Sequence, residues 1–205
     1  MKILALSAHT DDAELGCGGT LRRLIREGNR VYSVAFSRAS SYPPFTADAA
    51  GTEMVRATGE LGIHPDDMQL FDFPVRKLGF YRQDILEEMI HLRDTISPDM
   101  VFMPCKDDFH QDHITVYEEG MRAFKYSTLL GYEMPANNLS FQARSFFSLS
   151  EEDVHAKIRA ITAYRSQSDR RFMAEDAIRS LAVTRGVQSG LELAECFDVI
   201  RWVNR

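Results

Sequence analysis

The chain lacks the cysteine content of a stapled or Cys-ligated protein. Its three cysteines, Cys17, Cys105 and Cys196, are scattered, odd in number and form no CxxC pair. That excludes a disulfide framework and a cysteine-type zinc site. Long hydrophobic runs are missing as well, and none approaches the ~20 residues a membrane helix needs. The first apolar run, Ile3 to Ala8, is too short for a signal peptide and is followed at once by Asp11 and Asp12. There is no basic block: 24 Lys and Arg stand against 30 Asp and Glu, a formal charge of -6, which argues against a nucleic-acid partner. Repeats, low-complexity tracts and convincing linkers are absent too. The expectation is a cytoplasmic protein without a membrane span, folding as one domain over residues 1–205. Hydrophobic residues make up 44% of the chain, enough for a substantial core.

The apolar pattern alternates between short buried runs and helical periodicity. Strands are expected at Lys2–Ala8, Val31–Phe36, Gln69–Phe71 and Met100–Met103, with helices at Ala13–Arg26, Ala47–Leu61 and Gln83–Ile96 between them. This alternation predicts an α/β fold: a mostly parallel, Rossmann-like sheet with helices on both faces. A helix over Ile114–Phe124, strands at Leu129–Glu133 and Ser145–Ser148, helices over Glu151–Tyr164 and Glu175–Arg185 and a last strand, Ala194–Arg201, complete the chain. Ser37–Thr46, with Ser40-Ser41 and Pro43-Pro44, is the best candidate for a mobile surface loop. Ligands of such sheets gather beyond the carboxyl ends of the strands, so the segments after the first and fourth strands are where chemistry is sought.

The first segment runs His9-Thr10-Asp11-Asp12-Ala13-Glu14. A histidine and a carboxylate three positions apart, on a turn entering a helix, can face one point, and both are ordinary zinc ligands. Asp11 can project beside the metal and take a proton from water there. Against this stands a plainer reading, in which Asp11 or Asp12 caps the helix and Glu14 complements its dipole. It leaves His9 unexplained. Gly16, Gly18 and Gly19 do not follow the dinucleotide-binding spacing and come after two acids; close packing of the helix on the sheet explains them better.

The second segment, Lys106-Asp107-Asp108-Phe109-His110-Gln111-Asp112-His113, carries two histidines and three acids after a buried strand. His110 and His113 share a face if this is a helical turn, so that one can bind metal while the other acts on substrate. Asp112 can fix the tautomer of an imidazole and favour its protonated form. A polar loop with helix caps is the alternative. His64, His91 and His155 fit structural or solvated roles. Arg38, Arg76, Arg82 and Arg144 could each grip an anionic group of a substrate or be solvated surface.

These residues resemble a known family. His9 to Glu14 is similar to the HPDDxE signature of the LmbE-like, or PIG-L, de-N-acetylases, and the Leu15 to Leu21 run that follows also matches. His110-Gln111-Asp112-His113 matches the HxDH signature of that family, with Glu53 … Leu61-Gly62, Ser166-Gln167 and Ala194 to Phe197 as weaker landmarks. The resemblance implies a zinc enzyme that removes acetyl groups from N-acetylated amino sugars of the N-acetylglucosamine-conjugate type, on a Rossmann-like fold. It makes His9, Asp12 and His113 the Zn2+ ligands, Asp11 the general base, and His110, steadied by Asp112 and protonated, the group that stabilises the oxyanion. Family members are often oligomeric, which makes a homo-oligomer an expectation. Thr10 stands where the family usually has proline, Ala50 where many members carry a substrate-contacting arginine, and Leu193 where several have tyrosine. The last two differences are expected to fall on the substrate pocket and to leave the metal centre intact. Two alternatives stay open: a zinc amidase acting on a non-sugar N-acyl group, and a non-catalytic ligand-binding module on the same fold.

Overall fold

A computed structural model of the chain describes residues 1–38 and 47–204. Seven strands form one sheet: β1 (Lys2–His9), β2 (Arg30–Ser37), β3 (Met68–Leu70), β4 (Met100–Pro104), β5 (Thr128–Tyr132), β6 (Ser145–Ser148) and β7 (Ala194–Arg201). Six helices connect them: α1 (Asp12–Arg26), α2 (Ala47–Leu61), α3 (Arg82–Ile96), α4 (Gln111–Ala123), α5 (Glu151–Thr162) and α6 (Glu175–Ser189). The sheet order is β3-β2-β1-β4-β5-β7-β6. The first five strands are mutually parallel, and β7 enters antiparallel between β5 and β6. The α/β architecture with a mostly parallel sheet is therefore as the periodicity predicts. Among the described residues, no helix is long and apolar enough to cross a membrane.

Side-chain alternation along β1 splits the core in two. Ile3 and Ala5 belong to one apolar cluster with Leu21, Leu61 and Ile158, while Leu4, Leu6 and Ala8 belong to the other with Ile85, Met89 and Val116. So α1, α2 and α5 cover one face of the sheet, and α3 and α4 cover the other. A strand buried on both faces reads as a continuous apolar run, which is why β1 and β4 are so plain in the sequence.

Several boundaries move for local reasons. α4 starts at Gln111, before the expected Ile114, because the His110 ring caps it: Nδ1 accepts the backbone N–H of Asp112 at 3.2 Å. α6 continues to Ser189, where Gly190 takes a left-handed conformation (φ 71°). Ser37 closes β2 as a buried residue, and residues 39–46 of the expected surface loop lie outside the described residues. The helix α1 glycines serve packing, as expected. A Cβ at Gly16 would collide with the Tyr132 ring, and one at Gly19 would come within 2.7 Å of Leu149. Glu195, a weak landmark in the sequence, is structural: its carboxylate accepts the N–H groups of Gly19 (3.0 Å) and Thr20 (2.7 Å) and pairs with Lys157 Nζ at 2.6 Å.

The chain goes from β1 to β2 on one side and later returns to β4 on the other side of β1. Their carboxyl ends flank the point where the strand order reverses, the usual ligand site of such sheets.

Candidate metal and catalytic site

β1 delivers His9 to its last position, and the turn after it places Asp11 and Asp12 at the start of α1. β4 ends at Pro104, and the segment up to the first turn of α4 supplies Asp108, His110, Asp112 and His113. The two groups meet across the switch point. His113 Nε2 lies 3.3 Å from His9 Nδ1 and 3.3 Å from Asp12 Oδ1, and His9 Nδ1 is 3.5 Å from Asp12 Oδ2. Those separations fit one small cation. Tetrahedral zinc with bonds of ~2.0–2.1 Å holds neighbouring donors about 3.3–3.4 Å apart, and two imidazoles with a carboxylate form a suitable donor set. The three histidines His9, His110 and His113 also offer ring nitrogens within 4.8 Å of one another.

Each of the two closest imidazoles is backed by a carboxylate on its other nitrogen. Asp112 Oδ2 is 3.1 Å from His9 Nε2, and Asp108 Oδ2 is 2.6 Å from His113 Nδ1. Both acids are buried. This is the outer-shell arrangement that fixes tautomer and ring orientation in metal sites, leaving one lone pair to face the ion. Asp112 has two further tasks: Oδ2 accepts the N–H of Arg76 at 2.6 Å and Oδ1 the N–H of Leu78 at 3.2 Å. Asp108 Oδ1 accepts the N–H of His110 at 2.9 Å.

Asp112 was expected to steady His110, and the two residues are in contact. Asp112 touches His110 only by donating its backbone N–H to Nδ1, and its carboxylate is committed to His9. A donor on Nδ1 favours the neutral ring. Burial, together with the positive charge of His9 and His113, pushes the His110 pKa down to about 4. Both effects favour a neutral His110 ring with its N–H on Nε2 over the expected imidazolium. The ring lies edge-on to His9, with centroids 4.9 Å apart, and 4.8 Å from His113.

Charge and burial oppose each other at the centre. Burial alone would lower the pKa of His9, yet the Asp12 charge and the Asp112 bond lift it to about 9. His113 is likewise desolvated, but Asp12 and Asp108 raise it to about 10. Asp12 is held well below the usual carboxylate range, because the two imidazoles outweigh its own burial. Asp11 behaves differently: burial first, and the neighbouring Asp12 charge second, push its pKa up. It occupies the N-cap position of α1, yet its side chain makes no cap hydrogen bond, so capping does not account for it. Behind it, Glu14 is buried with neither carboxylate oxygen hydrogen-bonded among the described residues, and burial lifts it to about 8. The nearby Tyr164 hydroxyl donates to the Thr10 carbonyl.

These groups open onto a cavity of about 180 Å³, lined by His9, Asp11, Asp12, His110 and His113. Ala50 lines it as expected, and Glu53 holds its far wall by accepting Ser166 Oγ at 2.6 Å and Ser166 N at 3.0 Å. Leu193 does not line it; it packs in the apolar core, with its carbonyl accepting the N–H of Leu149. His64, His91 and His155 are exposed and distant from the cavity. Asp108 and Arg170 are the contributors that sequence reasoning does not single out. Asp108 stands in the dense polar segment, but nothing in the sequence reports that it is buried against His113.

The family described as "PIG-L: GlcNAc-PI de-N-acetylase" matches residues 4–124. An uncharacterized deacetylase of Escherichia coli strain K12, YaiS, is 33% identical over 172 residues, which is 80% of this chain and 90% of that protein. Among solved structures, the conserved protein TT1542 from Thermus thermophilus superposes with a TM-score of 0.81 at 24% identity, covering 99% of this chain and 96% of that one. An N,N'-diacetylchitobiose deacetylase from Pyrococcus horikoshii does so with a TM-score of 0.80 at 19% identity, covering 97% and 83%. At these identities the two structures speak for the fold, and the family assignment rests on the sequence matches. The chain belongs to the PIG-L family of de-N-acetylases and is a deacetylase of the hydrolase class.

Proposed function

We propose that the protein is a zinc-dependent hydrolase that cleaves the acetamide of an N-acetylated amino sugar, of the N-acetylglucosamine-conjugate type, to acetate and a free amine. The observation that carries this reading is the convergence of His9, Asp12 and His113 at 3.3–3.5 Å, with Asp11 beside them on the same cavity and free of any capping bond. His9, Asp12 and His113 would hold the ion, with Asp112 and Asp108 fixing the two imidazoles. A zinc ion held there would supply Lewis acidity, polarising the acetamide carbonyl and acidifying water.

Asp11 removes a proton from the water as its oxygen attacks the carbonyl carbon. Its upward-shifted pKa brings it closer to neutrality, which suits a base that must then release its proton. That proton goes to the nitrogen as the C–N bond breaks. His110 donates its Nε2–H to the carbonyl oxygen as negative charge develops there; a neutral donor fixed by the Asp112 N–H is pre-organised for this.

The test is acetate release by the zinc-loaded protein from a panel of N-acetylated sugars, sugar conjugates and N-acyl amino acids. Turnover of the sugars, abolished by Asp11→Asn, is the expected result. Exclusive turnover of N-acyl amino acids would move the activity to the non-sugar amidase class, and no release above background would leave a binding module.

A further inference from the structure

The turn from His9 to Asp12 joins β1 to α1, and the side chain of Asp11 does nothing to hold it. Asp11 stands at the N-cap of α1 without a cap hydrogen bond. Its carboxylate is therefore free to act, but the corner lacks the bond that usually fixes a helix start. Other groups must hold the backbone instead. Asp12 Oδ2 accepts the His9 N–H at 2.8 Å, and the Asp11 carbonyl accepts the Leu15 N–H at 3.1 Å. Between His9 and Asp11, the carbonyl of Thr10 is held from far along the chain. It accepts the hydroxyl of Tyr164, 154 positions away.

Tyr164 is itself well anchored. It is 2% exposed and belongs to the apolar cluster that includes Leu15, Ile158 and Ile161. Its N–H donates to the Ile161 carbonyl at 3.1 Å, and its carbonyl accepts the Gln167 N–H at 3.0 Å. Two residues on, Ser166 donates its N–H and its hydroxyl to Glu53 of α2, at 3.0 and 2.6 Å. Glu53 and Ser166, weak landmarks in the sequence, thus brace the loop that carries Tyr164. A packed aromatic ring with one polar tip fixes whatever that tip bonds. The hydroxyl is no acid or base for a substrate, although Tyr164 lines the cavity: its proton is committed to the Thr10 carbonyl, and burial holds its pKa well above the ordinary value.

We propose that Tyr164 is a positioning residue for catalysis: its bond to the Thr10 carbonyl fixes the turn between His9 and Asp12, and with it the direction in which the Asp11 carboxylate faces the cavity. The inference rests on the reading of Asp11 as the general base. Misplacing a reacting group by ~1 Å can cost about 10²-fold in rate, so one distant hydroxyl can govern turnover without touching substrate.

Tyr164→Phe keeps the ring and removes the tie. The zinc-loaded variant is expected to stay folded with stoichiometric zinc and to lose about 10- to 100-fold in kcat for acetate release, with KM unchanged. Tyr132→Phe is the control. Tyr132 is also fully buried, and its hydroxyl donates to a carbonyl of β1, that of Leu6 at 3.0 Å, away from the turn. It should lower the melting temperature comparably and leave kcat as it is. Added to Asp11→Asn, Tyr164→Phe should bring no further loss, because a residue that acts through the base then has nothing to align. Ser166→Ala removes one of the two bonds behind Tyr164 and should move kcat in the same direction by less.

Hydrogen exchange at the amides of residues 10–13 in the zinc-loaded proteins reads the same tie without turnover. It should quicken in Tyr164→Phe and not in Tyr132→Phe. Near-wild-type kcat in Tyr164→Phe, losses that multiply with those of Asp11→Asn, or equal exchange in all three proteins would each overturn the proposal. Wild-type protein that releases no acetate would count against the deacetylase reading alone, and exchange would still decide whether Tyr164 fixes the turn.

Discussion

Replacing Asp108 by asparagine tests the metal centre most directly. Asp108 is 2% exposed, with Oδ2 2.6 Å from His113 Nδ1 and Oδ1 2.9 Å from the His110 N–H. Asparagine keeps the volume but removes the charge, and its amide can accept only one of these two donors while its NH2 confronts the other. Loss of such an outer-shell carboxylate weakens metal affinity by about 10- to 100-fold, equivalent to about 1.4–2.8 kcal/mol. A second effect acts in the opposite direction. In the metal-free protein His113 holds its proton up to about pH 10, so metal binding at pH 7 must expel that proton at a cost of about 4 kcal/mol. Asp108 supports this protonated form, and asparagine weakens it. Proton competition therefore falls in the variant, masking part of the deficit at pH 7 and little of it near pH 10. Zinc competition against a chromophoric chelator at pH 7 and 9 reads this out. The deficit should be larger at pH 9. Wild-type affinity at both values in a folded variant would refute the role given to Asp108.

Asp11→Asn should retain stoichiometric zinc and lose about 10²–10⁴-fold in acetate release; near-normal turnover would remove Asp11 as the base. His113→Ala should purify without stoichiometric zinc by elemental analysis, and full occupancy would refute its place among the ligands. Glu14 provides a pH test of stability in the metal-free protein. Its pKa rises from the ordinary 4.5 to about 8 on folding, so it folds in the neutral form. The stability this represents is present below 4.5 and is lost as pH rises towards 8, by about 1.4 kcal/mol per unit. Glu14→Gln is neutral throughout, so its melting temperature relative to wild type should climb between pH 5 and 8. An equal difference at both pH values would show that Glu14 is not protonated in the fold.

The elements of this fold that sequence reading locates well are those whose signal is local. The two-face burial of β1 and β4 gives continuous apolar runs, and α2 spans Ala47–Leu61 as its periodicity predicts. The antiparallel insertion of β7 between β5 and β6 is not legible, because it depends on a pairing made at the far end of the chain. The site divides in the same way. His9, Asp11, Asp12, His110, Asp112 and His113 are visible as two dense motifs. Which carboxylate meets which imidazole is not, since the pair His9–Asp112 is separated by 103 positions and forms only where the ends of β1 and β4 converge. Resemblance alone places Leu193 at the pocket, but its backbone pairs with the β6–α5 junction at Leu149 and carries its side chain into the core. Nor does a sequence reveal that Arg76 is left-handed, because that conformation is imposed from outside by the Asp112 acceptor.

Asp112 thereby becomes the residue on which two properties of the pocket converge. Its carboxylate meets one metal donor through His9 Nε2 and ties down the strained turn at Arg76 and Leu78. If it acted only through His110, Asp112→Ala would slow turnover and leave metal affinity intact, because the backbone N–H to His110 Nδ1 survives the substitution. The observed contacts require a different pattern. Alanine strands the buried N–H of Leu78, removes the acceptor of the Arg76 N–H and leaves His9 without its orienting partner, the stranded Leu78 N–H alone a loss of about 1–3 kcal/mol. Zinc affinity should then fall about 10- to 100-fold, and the left-handed turn at Arg76 should relax. Metal affinity and melting temperature should therefore decline together. Asparagine, which can accept from the Arg76 N–H but supplies no charge to His9, should separate them by retaining more of the stability than of the affinity. Unchanged zinc binding in Asp112→Ala would break this linkage and return the residue to a role confined to His110.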